Sequence, residues 1–392
     1  MKGNVMRSRL FATIFATALA VALSACSTLD AINPFSSSKK VKLAELAPLP
    51  ANADLTALWQ ASLGTAGENV FTPAVVGERV YAADHSGNLA RFDAGRQVWR
   101  IAVGQAISGG VGADAKLVVV GTAKGEVLVF NAETGAAAWK ARVSSEVLSA
   151  PVVGDGSVFV RSGDARVTAF DAADGKRRWV YQRSTPTLTL RSTVGLTLMS
   201  GRGVVAGFPG GKLVAIAGNN GAALWEGTVA LPKGSTELER VADITSSPVI
   251  DGRDVCAAAF QGRVACFELA SGNALWTREL SSSAGIDMDS KYVYVSDDKG
   301  AVHALDRSNG ASVWKQDKLA NRGLSRPLAL GNKIAVADAL GFVHLLRRED
   351  GAFAARAGSD GSAIVAEPQR LKDNSGLAVQ TKNGSVFALG VH

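Results

Sequence analysis

Few residues in this chain are placed to do covalent chemistry. Its three cysteines are Cys26, Cys256 and Cys266. Cys26 directly follows an apolar run and two small residues, where a thiol is modified during export rather than turning over a substrate. Cys256 and Cys266 flank Gln261-Gly262 and their numbers sum to 522, against 523 for residues facing each other across that turn. Opposed Cβ atoms on a non-hydrogen-bonded pair can come close enough to bridge. Two readings stay open: a disulfide, which an oxidising compartment permits, or two buried thiols packing as small apolar side chains. The four histidines, His85, His303, His344 and His392, fall in different stretches and show no metal-ligand spacing. Nothing has a Ser/His/Asp arrangement or a phosphate loop, and Gly207-Phe-Pro-Gly-Gly211 fits a hairpin turn. The sequence therefore predicts no catalytic residue, no metal and no cofactor.

Cys26 closes a leader. Lys2, Arg7 and Arg9 precede an apolar stretch from Leu10 to Leu23, followed by Ser24 and Ala25. That stretch is short for a membrane span and has the build of a secretory signal, residues 1–25. Leu23-Ser24-Ala25-Cys26 resembles a bacterial lipobox, which implies acylation of the Cys26 thiol, cleavage before it and acylation of the new amine. Several acyl chains anchor stably where one is marginal. Residues 26–52, with Pro34, three serines at 36–38, Lys39-Lys40 and Pro48-Leu-Pro50, predict a flexible tether to a body at 53–392.

The body is a repeat. Tryptophans stand at 59, 99, 139, 179, 225, 276 and 314, spaced by 40, 40, 40, 46, 51 and 38 residues. Asn131-Ala-Glu-Thr-Gly-Ala-Ala-Ala-Trp139 recurs as Asp171-Ala-Ala-Asp-Gly-Lys-Arg-Arg-Trp179 and again before Trp276 and Trp314, and an eighth copy carries Ala355 in the Trp slot. Each unit contains four short β-branched or aromatic runs broken by Gly, Asp and Asn, with no helical periodicity. Short strands repeating every ~40 residues predict a β-propeller. From Trp59 to His392 there are 334 residues, about 42 for each of eight blades. The last unit lacks a fourth strand, which Leu55–Ala61 from the N-terminus would supply, closing the ring without free sheet edges. The fold class is all-β: an eight-bladed propeller of four-stranded antiparallel blades. A recurrent Trp at one slot is structural, packing between neighbouring blades.

Composition excludes other classes. The chain is 47% hydrophobic and 20% charged, unlike a disordered protein, and three cysteines exclude a disulfide-dense scaffold. The net charge of +7 falls to +4 once the three leader cations are removed, 39 against 35, which is no argument for nucleic-acid binding.

The two longest Trp spacings are consecutive, so the connections leading into blades four and five should carry an enlarged surface on one face. The insertion in the second, Gly227–Ser246, is about ten residues longer than the connections after Trp139 and Trp314. The first reads Arg183-Ser-Thr-Pro-Thr-Leu188-Thr-Leu190-Arg191. Exposed leucines beside an arginine suit a docking hot spot. The bland alternative makes Leu188 and Leu190 one face of a buried strand.

The Pro-Val-Val, Val-Tyr-Val, Gly-x-Val-x-Ala-Leu-Asp and Thr-Gly-x-x-x-Trp pattern resembles the repeats of pyrroloquinoline-quinone dehydrogenases. With the lipobox and eight blades, the whole chain resembles the BamB (YfgL) family, lipoproteins of the outer-membrane β-barrel assembly machinery. That resemblance implies a non-enzymatic protein on the periplasmic face of the outer membrane, anchored by lipid. By resemblance to Gram-negative lipoproteins, Ser27 after Cys26 implies the same membrane. The implied partners are the POTRA region of BamA, through it the other lipoproteins of the machinery, and transiently unfolded barrel clients. It also implies that Leu188, Leu190 and Arg191 contact BamA and that Asp243 belongs to a second, acidic element, in which Thr245 replaces an expected Asp. Two alternatives are a quinoprotein-like enzyme and a polysaccharide-binding propeller. The first lacks the adjacent Cys-Cys pair and long insertions of those enzymes, and the second lacks clustered aromatics.

Overall fold

The computed structural model describes residues 42–49 and 54–392. The expected leader and Cys26 lie outside the described residues.

Residues 54–392 form eight four-stranded antiparallel sheets. Strand β1 (Leu55–Ser62) is followed by seven sequential blades: β2–β5 (74–102), β6–β9 (112–142), β10–β13 (152–181), β14–β17 (196–228), β18–β21 (249–279), β22–β25 (285–316) and β26–β29 (328–358). Blade eight has the order β1-β32-β31-β30, in which β30–β32 span 369–391 and the N-terminal strand pairs with the last, Leu55 opposite Val391. The sequence places that closing strand to within one residue.

The burial pattern follows from the architecture. In each blade the two middle strands are covered on both faces by neighbouring blades, so β11 is buried throughout, with the apolar run Val158-Phe-Val160 at its centre. The outermost strands, such as β17, carry exposed residues around a buried Trp.

The tryptophans join blade to blade. Each indole lies on the glycine of the last hairpin of the next blade: Trp59 on Gly95, Trp99 on Gly135, Trp139 on Gly175, Trp179 on Gly221, Trp225 on Gly272, Trp276 on Gly310 and Trp314 on Gly351. Six of them also donate their ring N–H to a carbonyl at that hairpin, as Trp276 does to Arg307 at 2.7 Å. Ala355 breaks the series for a topological reason. The blade after it is closed by the two chain ends, His392 donating to the Asp54 carbonyl at 3.0 Å, and so has no hairpin glycine to receive a ring.

Two sequence expectations are refined. Cys256 and Cys266 face each other on β19 and β20 and form a disulfide. Part of the expected flexible tether is docked: Ala44 donates to the Ala320 carbonyl at 3.0 Å, and Leu46 packs against a core cluster that includes Tyr294 and Trp314. Pro48 just downstream favours an extended backbone at Ala47, whose carbonyl accepts from Arg356 at 3.0 Å.

Candidate partner-binding surface

All inter-blade connections emerge on one face of the propeller. On that face the connection between β13 and β14 (182–195) contains no strand. Leu188 is 42% exposed, Leu190 38% and Arg191 is exposed. The buried-strand alternative is therefore not what the fold adopts.

This connection is irregular in conformation but tied down. The Leu190 amide donates to Asp243 Oδ2 at 2.7 Å, and Ser192 Oγ donates to the Thr245 carbonyl at 3.2 Å. Asp243 lies in the next connection and is 3% exposed. Its other oxygen accepts from the Gly210 amide at 2.9 Å, in the β15–β16 hairpin over which Pro186 packs. Gly210 and Gly211 both have positive φ, and a Cβ on Gly211 would collide with the Ala230 carbonyl, so this tight turn requires glycine. One carboxylate thus gathers three segments. Asp243 lies buried beneath the surface, where it positions the Leu190 and Gly210 amides.

Below the loop lies a cavity of about 180 Å³ whose lining includes Arg161, Asp164, Thr189, Leu190 and Asp243. The Arg161 guanidinium donates to the Gly207 carbonyl and sits 5.0 Å from the centre of the Phe208 ring. Burial pulls it down to about 10, and the Asp243 carboxylate opposes that shift. The Arg183 guanidinium lies over the same ring at 5.7 Å and pairs with Glu226 at 3.0 Å. These cations brace the loop from inside, which leaves Arg191 as its outward charge. Nearby, hydrogen bonds from the Ser145 hydroxyl and the backbone, with a smaller contribution from Arg191, hold the Glu146 carboxyl below the usual glutamate range.

The second insertion is folded on itself. Glu239 accepts from the Ser235 and Thr236 amides at 2.8 and 3.1 Å, and Thr236 Oγ1 accepts from the Glu239 amide at 3.2 Å, a reciprocal cap on one helical turn. Thr245 is half-buried and donates to the Ser283 carbonyl at 3.3 Å. This insertion also presents Leu231, 55% exposed, and Leu238, 69% exposed. Sequence reasoning missed both, because the same insertion also carries Val229, Val241 and Ile244, which are buried, and nothing in the spacing separates the two sets.

Comparison with known proteins agrees with this architecture. Residues 86–316 match the family model described as outer membrane protein assembly factor BamB. The chain is 42% identical over 369 residues to the BamB of Bordetella pertussis, covering 93% of each chain. It belongs to the BamB family. Among solved structures, BamB from Moraxella catarrhalis superposes with a TM-score of 0.80 at 28% identity, over 86% of this chain and 99% of that one. Quinohemoprotein alcohol dehydrogenase from Comamonas testosteroni superposes with a TM-score of 0.66 at 13% identity, over 86% of this chain and 76% of that one, a likeness of fold alone.

In this BamB-family propeller the central channel, a cavity of about 480 Å³, is crossed by paired charges. Arg326 donates to Glu367 at 2.9 Å and to the Ile286 carbonyl at 2.7 Å, and Arg370 donates to Asp287 at 3.1 Å. Ser247 donates to Glu367 at 3.1 Å. These groups satisfy one another and tie blades five to eight across the axis. Among the described residues no cluster of three or more His, Cys, Asp or Glu could hold a metal ion.

Proposed function

We propose that the chain is a non-enzymatic lipoprotein scaffold of the outer-membrane β-barrel assembly machinery, anchored through Cys26 on the periplasmic face. It binds the POTRA region of BamA and so assists insertion of barrel clients. Membership of a family of outer-membrane assembly factors supports the general role. One observation carries the specific reading: Leu188 and Leu190 stand exposed on a loop whose backbone is pinned from below by Asp243. A preorganised apolar contact loses little entropy on binding. Leu231 and Leu238 on the adjacent connection extend the apolar area, and Arg191 supplies a directional charge at its edge.

Titration of the purified chain with the BamA periplasmic region tests this reading. Saturable binding that is lost when Leu188 and Arg191 are both replaced by Ala supports it. Unchanged binding by that well-folded variant sinks the site.

A further inference from the structure

The N-terminal segment 43–47 sits on the same face as the Leu188 loop, at the connection between blades six and seven. Main-chain groups at Ala44 and Ala47 bond to the propeller. The Ala44 amide donates to the Ala320 carbonyl at 3.0 Å. The Ala44 carbonyl accepts from Arg322 Nη1 at 3.1 Å, and the Ala47 carbonyl from Arg356 Nη1 at 3.0 Å. Leu46 enters the core cluster of Tyr294, Trp314 and Leu319. The two guanidinium groups are held in place from behind. Arg322 Nε donates to Asp338 Oδ2 at 2.7 Å, His344 Nε2 lies 2.9 Å from the same oxygen, and Arg356 Nε donates to His344 Nδ1 at 3.1 Å. Because Nδ1 accepts, the neutral ring carries its proton on Nε2 and donates to Asp338. Arg322, Asp338 and His344 are buried. Two fixed cations three residues apart along an extended peptide, one carbonyl acceptor and an apolar socket amount to a built site for an extended chain.

We propose that this site binds the chain's own residues 43–47 as a strap that moves the exit of the N-terminus from one face of the propeller to the other. Without the strap the chain would first be held at Asp54, which pairs with Lys333 at 3.2 Å beside the β26–β27 hairpin. That hairpin and the start of β1 lie on the face opposite the connections. With the strap seated, the chain departs from the connection face, three connections round from Leu188. Resting on the lipid-anchor reading, Cys26 is then joined to the connection face of the propeller rather than to the opposite one.

Hydrogen exchange on the intact chain in detergent tests the strap without reference to lipid. The 43–47 segment should exchange at least tenfold more slowly than the same sequence as a free peptide. Leu46→Asp and Arg356→Ala should each bring it to the free rate, with β27 amides unchanged. If Arg356→Ala also loosens β27, Leu46→Asp decides alone. Free-peptide exchange in the unaltered chain, or no acceleration in Leu46→Asp, overturns the site. A second arm tests the exit. Dyes on cysteines introduced at Leu340, on the connection face, and at Asp350, on the opposite face, are measured against headgroup-labelled phosphatidylethanolamine–phosphatidylglycerol vesicles carrying the lipidated chain. Stronger energy transfer from position 340, lost in Leu46→Asp, is expected. A protected strap with equal transfer from both positions overturns the exit role, and failure to join the vesicles overturns the anchor alone.

Discussion

The Leu190 amide donates to the buried Asp243 carboxylate at 2.7 Å across 53 residues of sequence. The bond joins the two connections around blade four and makes one surface of them. Asp243→Ala would leave the Leu190 and Gly210 amides without this acceptor, at about 1–3 kcal/mol for each group that stays buried. We expect affinity for BamA to fall and exchange at Leu190 to accelerate together, with Asp243→Asn intermediate because its carbonyl oxygen still accepts. Lost affinity with an unchanged Leu190 exchange rate would mean that Asp243 touches the partner directly.

Leu188 and Arg191 touch the partner under the proposed function, so their loss should be felt in binding and not in folding. The Leu188→Ala, Arg191→Ala double variant should bind BamA at least about 30-fold more weakly, roughly 2 kcal/mol. Its melting temperature should stay near that of the unaltered chain, because the ring is held by blade packing. Lys299, exposed on a hairpin two blades away, serves as a neutral control. The comparison is made by calorimetric titration alongside thermal melts.

With Cys256 and Cys266 bridged, the denatured, non-reduced and lipidated chain should titrate no free thiol. Two reactive thiols would contradict the bridge. Replacing both cysteines by Ala should lower stability by about 2–3 kcal/mol, the order for closing a short loop, as read from the urea midpoint.

His344 supplies a pH dependence. Burial drives its pKa below the ordinary 6.5, against the raising effect of the Asp338 hydrogen bond. The unfolded chain takes up a proton near pH 6.5 that the folded ring resists, so its contribution is complete above that pH. It declines as the pH falls from about 6.5 towards the lower folded value. The loss of melting temperature between pH 7.5 and 5.5 should be larger for the natural chain than for His344→Gln. Equal losses would show that the ring is not held neutral.

Gly310 sits under Trp276 with φ of +73°, and a Cβ there would lie 2.5 Å from the ring. Gly310→Val should destabilise the blade five to blade six junction by more than about 2 kcal/mol, through both the left-handed backbone and the displaced indole. Gly331→Val tests the backbone part alone, since its φ is +60° but nothing lies within 4 Å of its Cβ. Equal effects at the two positions in denaturant unfolding would remove the packing contribution.

The sequence by itself determined the number of blades, the strand rhythm within them and the closing role of residues 55–61, because each depends on local patterns. A middle strand covered on both faces is mainly apolar at its centre, an indole needs a hairpin glycine one blade on, and insertions lengthen only connections. It also singled out the connections that carry Leu188 and Asp243. It did not separate the exposed leucine from the buried aspartate, since both lie in irregular segments without periodicity. Their roles depend on which main-chain groups the neighbouring connection leaves unpaired. The same holds for residues 43–47. Leu43-Ala-Glu-Leu-Ala47 is too short to show a periodicity, and what holds it against the propeller is gathered from far away in sequence: Arg322, Arg356, the Ala320 carbonyl and the socket for Leu46. Local propensity sets the strands, whereas the pairing of isolated polar groups is decided by distances that exist only once the ring has closed.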